Sequence, residues 1–351
     1  MTPSILIIYT GGTIGMQLNH TTGTLSPLNF EQIETEMPEL QKFNLQIDTH
    51  SFDPPIDSSE VQPAFWVRLA RMIYTHYTHY DGFVVLHGTD TMSYTASAIS
   101  FMLENLAKPV VFTGSQLPVG LLRTDGKENL ISAIEIAAAV ADGRPCVPEV
   151  SILFNNQLYR ANRTTKYNAE QFRAFRSANY PPLAEIGVHI KYNPLFIRQP
   201  ERPNTPLLLS DTPDTNIAIL KLFPGIGRRV VEGILSIEGL RAIVLETYGS
   251  GNAPTVEWFI NALREAIRRG LIILNVSQCH GGTVEMDHYQ TGILLKKIGV
   301  VSGYDSTTEA AVAKLAVLLG QTKDIATIIA ALHTSLRGEI SPETNKFGNY
   351  S

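Results

Sequence analysis

The sequence predicts an α/β protein of two domains, the larger N-terminal one built on a mainly parallel sheet. Three observations predict it. Short apolar, strand-like runs end in turns rich in glycine and threonine, helical patterns stand between them, and a second such series begins beyond a proline-dense stretch.

In the first series, SILIIY at 4–9 leads into TGGTIG at 10–15, GFVVL at 82–86 into HGTDT at 87–91, and PVVF at 109–112 into TGSQ at 113–116. In a parallel sheet all three turns stand at the carboxyl ends of strands, where α/β proteins bind ligands. Trp66, Leu69 and Ile73 mark one helix; Met92, Ala96, Ile99, Leu103 and Leu106 recur at helical spacing, as do apolar residues across 130–140. The second series runs through strand-like 216–222, 241–245 and 271–274, a helical stretch at 256–269, and closing helices at 307–319 and 324–332. Between the series, Pro194, Pro200, Pro203, Pro206 and Pro213 break both helix and central strand. The expected division is a domain over 1–190, a linker over 191–214 and a domain over 215–351. The polar stretch 17–26 has little to bury and reads as a mobile lid.

With 351 residues, 44% of them hydrophobic, the chain can bury full cores. Its 28 basic and 33 acidic residues leave a net charge of −5 without a Lys/Arg run, which argues against nucleic acid or a membrane as partner and for a small molecule. The apolar run at 5–8 is too short for a signal segment or a span, so a cytoplasmic location is expected. Cys146 and Cys279 lie far apart and suggest neither a disulfide framework nor a metal site.

Chemistry concentrates in the turns. Glycines beside Thr13 let a hydroxyl and main-chain N–H groups face one point, as acyl transfer requires, although a phosphate cradle or a plain turn would use the same residues. His87, Thr89, Asp90 and Thr91 put an imidazole, two hydroxyls and a carboxylate within five residues; Asp90 or Thr91 would also serve as a helix cap. A threonine nucleophile needs a base, and Lys166 is a candidate if burial lowers its proton affinity, or a solvated surface residue otherwise. Asp57, Ser58 and Ser59 would hold an amino acid's charged groups or cap the helix that follows. His76 and His79 lack companions for a metal. The turns at 248–254 and 277–282 again follow apolar runs, as ligand-lining or bland loops. Residue chemistry alone does not choose between Thr13 and Thr89 as nucleophile.

Taken together, TGGTIGM at 10–16, DSS at 57–59, HGTDTM at 87–92, TGSQ at 113–116, NRTTK at 162–166 and YGSGNAP at 248–254 resemble the asparaginase/glutaminase family, and most closely its bacterial cytoplasmic type I L-asparaginases. The resemblance covers essentially the whole chain. It implies a smaller, flavodoxin-like C-terminal α/β domain and hydrolysis of L-asparagine to L-aspartate and ammonia without metal or organic cofactor, with weaker glutaminase activity. It implies Thr13 as the attacking residue and Thr89, Asp90 and Lys166 as a second catalytic set. Ser58 would bind the substrate α-carboxylate and Asp90 its α-ammonium, with Asp57, Ser59, Thr89 and Ser115 completing the pocket. Homodimers or dimer-of-dimers tetramers follow from the same likeness, with Asn252 reaching a neighbouring subunit's site.

Two departures qualify it. The family's lid carries a tyrosine that helps activate the first threonine, and Thr24 stands in that place here. Some type I members bind a regulatory asparagine through an arginine just before the YGxGNAP loop, where this sequence has Glu246, although Thr165 and Cys279 match other parts of that site. The competing expectations are a tRNA-dependent amidotransferase subunit, which carries an additional N-terminal domain, and a non-catalytic binding module.

Overall fold

The computed structural model describes residues 2–18, 25–27, 33, 35, 37–200, 205–287 and 289–341. The chain forms two compact units, Met1–Leu209 and Ser210–Ser351.

The first unit is built on an eight-stranded sheet. Strand β1 (Ser4–Tyr9) lies between β2 (Gln46–Ser51) and β3 (Gly82–Leu86), and the sheet continues through β4 (Val110–Thr113) to β5 (Val150–Phe154), all five in parallel. Every residue of β3, β4 and β5 is buried, which is why 82–86 and 109–112 read as unbroken apolar runs instead of alternating ones. After β5, Asn155 and Asn156 take φ of 48° and 63°, left-handed values that asparagine tolerates, and the chain reverses into the antiparallel β6 (Gln157–Arg160). A small separate hairpin follows, β7 (Thr165–Lys166) with β8 (Phe175–Arg176); β9 (Ala184–Ile186) and β10 (Ile190–Tyr192) then extend the main sheet.

Helix α1 (Pro63–His76) opens with proline in its first turn, where a missing N–H costs nothing. Helix α2 (Met92–Met102) is buried over nearly its whole surface, and α3 (Gly126–Ala138) packs Leu130, Ala133, Ile134 and Ala137 on the face that carries Ile5, Ile7, Val84, Leu86 and Val111. The helical pattern expected to reach Leu106 stops at Met102. There Leu103–Glu104 pairs with Leu208–Leu209, and Asn105, with φ of 64°, turns the chain away. Both Tyr192 and the 208–209 pairing lie within 191–214. Of the expected lid, Met16–Leu18 and Leu25–Pro27 pair antiparallel, while 19–24, including Thr24, lie outside the described residues.

The chain therefore leaves β1 for one side of it and returns on the other. That reversal puts a topological switch point between β1 and β3, and the crevice outside such a point is where open α/β sheets bind ligands.

The second unit holds four parallel strands in sequence order, β11 (Ile217–Lys221), β12 (Ala242–Thr247), β13 (Ile272–Ser277) and β14 (Val301–Ser302). Helices α4 (Arg228–Leu235), α5 (Glu257–Arg268) and α6 (Gln290–Lys297) cover one face; α7 (Thr308–Gln321) and α8 (Ile325–Leu332) cover the other. A smaller parallel domain is thus present. Among the described residues no helix is long and apolar enough to cross a membrane.

In α7 the Lys314 side chain, 4% exposed, meets the fully buried Glu339 at 2.6 Å, and its ammonium also donates to the Thr334 carbonyl at 2.7 Å. Glu339 in turn accepts the backbone N–H groups of Leu336 and Arg337. Removing one partner leaves a buried charge without its counterion, so Glu339→Gln is expected to cost roughly 3 to 5 kcal/mol, read as a lowered denaturant midpoint.

A second expectation concerns His87, just past β3. It is 1% exposed; burial pushes its imidazole down from 6.5 to about 4, and Nδ1 lies 2.7 Å from the Gly88 carbonyl, to which the neutral ring donates. Unfolding restores ordinary proton affinity, so between pH 6.5 and about 4 the unfolded chain binds the extra proton. The stability is fully present above that window and falls by roughly 3 kcal/mol as pH drops through it. His87→Asn should flatten the fall in Tm across the window, and an unchanged slope would exclude the buried ring as its source.

Candidate active site

The frame of the site is backbone against backbone. Thr10 docks on β3 by donating both its N–H and its hydroxyl to the Leu86 carbonyl, at 3.0 and 2.8 Å. At Gly12, φ is 90° and a Cβ would stand 2.5 Å from the Gly88 backbone, so only glycine fits; a Cβ on Gly88 would stand 2.5 Å from Ser58 Oγ. Thr13 follows Gly12 and Thr89 follows Gly88, so this contact brings the first two turns and the 57–59 segment together. Thr13 is half-buried and opens a single 3₁₀ turn, Thr13–Gly15. The Tyr9 hydroxyl closes that turn from below, donating to the Gly15 carbonyl at 3.0 Å, and burial pushes its phenol up to about 12.

Lys166, on β7, reaches the second turn. Its Nζ donates to Thr89 Oγ1 at 2.8 Å and to Asp90 Oδ1 at 2.6 Å. The lysine side chain is 17% exposed and that of Asp90 63%, so the pair sits at the mouth of the crevice, with the lysine inward. The segment before β7 is fixed by buried bonds: Asn162 Nδ2 donates to Ser100 Oγ at 3.2 Å, Thr164 Oγ1 to the Arg160 carbonyl at 2.7 Å, and Arg160 Nε pairs with Glu149 at 2.6 Å. Lys166 is held rather than freely solvated.

The two acidic cap candidates part company. Asp57 does cap, accepting from both the N–H and the hydroxyl of Ser59 at 2.9 Å. Asp90 turns to Lys166 instead, and Thr91, at the N-cap of α2, makes no cap bond but donates its hydroxyl to the Ser58 carbonyl at 2.7 Å. Ser58 is buried against Gly88, whereas Ser59 is exposed. Ser115 is buried and donates to the Leu117 carbonyl at 2.6 Å, within its own turn.

Its neighbour Gln116, which sequence reasoning passed over, has Oε1 3.4 Å from Thr89 Oγ1. Asp125 was also missed: both of its carboxylate oxygens accept the Gln116 N–H at 3.0 Å, and burial raises its carboxyl. Gln116 closes the TGSQ motif, whereas Asp125 carries no periodic or motif signal.

In the second unit, Asn252 Oδ1 accepts from Thr291 Oγ1 at 2.6 Å, and Glu246 accepts from Thr308 Oγ1 at 2.7 Å with Lys221 at 3.2 Å. Cys279 is exposed and Cys146 half-buried, both as free thiols. The rings of His76 and His79 meet edge to face at 6.5 Å, and among the described residues no group of three or more side chains is arranged to hold a metal. A cleft of about 790 Å³ lined by Pro3, Tyr74, Tyr77, Asp81 and Lys108 opens at the amino end of β1, away from the three turns.

Residues 4–197 match the family model for the asparaginase N-terminal domain, and residues 216–332 that for the glutaminase/asparaginase C-terminal domain. The chain is 43% identical to L-asparaginase 1 of Escherichia coli (strain K12) over 347 residues, 97% of this chain and 98% of that protein. It is 40% identical to the 60 kDa lysophospholipase of Mus musculus over 338 residues, 90% of this chain and 58% of that protein. The crystal structure of L-asparaginase I from Vibrio cholerae superposes with a TM-score of 0.87 at 40% identity, covering 97% of this chain and all of that one. Matched along nearly its whole length by sequence and by fold, the chain belongs to the asparaginase family of amide hydrolases.

Proposed function

We propose that this protein hydrolyses L-asparagine to L-aspartate and ammonia through an acyl-enzyme on Thr13. The observation that carries the reading is one ammonium bonded at once to a threonine hydroxyl and a carboxylate, Lys166 with Thr89 and Asp90, beside the Gly12–Gly88 contact that brings Thr13 close. The relatives named L-asparaginase support the substrate.

In this reading Thr13 Oγ1 attacks the side-chain amide carbon. The tetrahedral oxyanion is met by main-chain N–H groups of the two glycine turns, where one lost donor costs about 3 to 4 kcal/mol of transition-state stabilisation. The C–N bond breaks and ammonia leaves with the proton given up by Thr13. Water, oriented by Thr89, Asp90 and Lys166, then attacks the ester; one of its protons returns to Thr13 and L-aspartate is released. Ser58 takes the α-carboxylate and Asp90 the α-ammonium, while Asp57, Ser59 and Ser115 shape the pocket. Glutamine, one methylene longer, is the weaker substrate, a difference worth about 1 to 3 kcal/mol. A cytoplasmic homodimer or tetramer, with Asn252 near a neighbouring site, completes the proposal.

Ammonia release from L-asparagine tests it. Thr13→Ala, Thr89→Ala and Lys166→Met are each expected to lower kcat at least ~100-fold with unchanged circular dichroism, because each removes a group that acts in proton transfer or bond formation. Substantial turnover by both alanine variants would refute the mechanism, and substantial turnover by Lys166→Met would return that lysine to a surface role.

A further inference from the structure

We propose that the cleft at the amino end of β1 is a binding site for a free α-amino acid with an apolar side chain, separate from the crevice and independent of the reaction proposed above. Its volume of about 790 Å³ is that of a small-molecule site. Lys108, Tyr77 and Asp81 bring three polar groups to an otherwise apolar lining, and each keeps hydrogen-bonding capacity that the chain leaves unused.

Lys108 supplies the cation. Its Nζ donates to the Tyr77 and Tyr80 carbonyls at 2.7 and 2.6 Å, just past the end of α1, and lies 5.0 Å from the centre of the Tyr77 ring. An ammonium has three donors, so one remains. The Tyr77 hydroxyl accepts the Ala107 N–H at 2.8 Å, which leaves its own proton to donate; burial raises the phenol and keeps that proton in place. On the acidic side, Asp81 Oδ2 accepts both the N–H and the hydroxyl of Ser4, at 2.9 and 3.1 Å, while Oδ1 has no donor among the described residues.

Burial lowers the proton affinity of Lys108, and the Asp81 charge partly restores it, so the two groups feel each other. Yet among the described residues no ion pair joins them. A plain anion entering the cleft would meet Asp81, and a plain cation would meet Lys108. A zwitterion satisfies both, its carboxylate on Lys108 and Tyr77 and its ammonium on Asp81 Oδ1.

The remaining lining suits an apolar side chain. Pro3, Ala138, Ala139, Val140, Pro145 and Leu207 contribute to it. The end of α3 comes this close because Gly82, next to Asp81, has no side chain: a Cβ there would stand 2.3 Å from the Ala137 carbonyl. Beyond α3 the chain makes a tight hairpin, Val140–Ala141 against Arg144–Pro145, with Asp142 and Gly143 at φ of 51° and 74°. That turn leaves Val140 55% exposed beside the cleft, apolar surface that a bound side chain would cover.

Isothermal titration of the full chain with L-phenylalanine tests the site, with 3-phenylpropionate and phenethylamine as the same ring lacking the ammonium or the carboxylate. L-Phenylalanine is expected to bind with a Kd of about 1 mM or lower, and each analogue at least ~10-fold more weakly, because each leaves one charged group of the cleft unpaired. Asp81→Asn and Lys108→Met are each expected to weaken L-phenylalanine ~10-fold. Lys108 also secures the end of α1, so Val140→Glu, a change at an exposed residue that adds a carboxylate beside the cleft, is expected to weaken binding with circular dichroism unchanged. No measurable binding of L-phenylalanine, 3-phenylpropionate binding as tightly as L-phenylalanine, or undiminished binding by both Asp81→Asn and Val140→Glu would overturn the proposal.

Discussion

The contact between the Gly12 and Gly88 backbones is the constraint on which the site depends. It exists because β1 and β3 are neighbours in the sheet but not in the chain: strand β2 and helix α1 intervene, and the return on the other side of β1 opens a crevice at the two carboxyl ends. Two turns entering one crevice from adjacent strands collide unless both lack side chains at the point of approach. With a Cβ only 2.5 Å from opposing backbone, even alanine at Gly12 would push the threonines apart. The residues that follow the glycines, Thr13 and Thr89, inherit their proximity from this packing.

Electrostatics refines the frame without supporting it. The Lys166–Asp90 pair is short, but Asp90 is mostly in water, and such pairs contribute at most about 1 kcal/mol. That is too little to order a hairpin lying outside the main sheet. The hairpin is ordered by buried groups behind it, Asn162 on Ser100 and Arg160 on Glu149, and by the Gln116 amide in front. The ion pair is therefore free to exchange partners, as it must if Asp90 is to receive a substrate ammonium.

Much of this was legible in the sequence, and the reasons are specific. Unbroken apolar runs at β3 and β4 announce strands buried on both faces, and the glycine-threonine turns after them announce strand ends, so fold class and crevice could both be read. Lys166 was different: alone it has the signature of a solvated lysine, and only the matching order of motifs along the chain singled it out. The contacts of Gln116 were not legible even though it closes the TGSQ motif, because they run to three long-range partners, Thr89, Ala169 and Gln171, none of which leaves a periodic trace. The early end of α2 was equally hidden, since Leu103 and Leu106 continue the helical spacing and the pairing that stops the helix comes from Leu208–Leu209.

Asp57 and Asp90 show where local rules stop deciding. Each carboxylate stands near the start of a helical turn with hydroxyl residues beside it, and each has the sequence profile of an N-cap. Asp57 caps its own segment, accepting from Ser59. Beside Asp90 stands an ammonium delivered from another hairpin, and a charged donor outcompetes a backbone N–H. Thr91 is likewise drawn from the α2 cap to the Ser58 carbonyl, which stitches the 57–59 segment to the second turn. A helix start that gives up its cap loses about 1 kcal/mol of local stability. Here the groups that could have made that cap are drawn to Lys166 and to the 57–59 segment, so the start of α2 is tied into the turns around it instead of being finished by its own side chains.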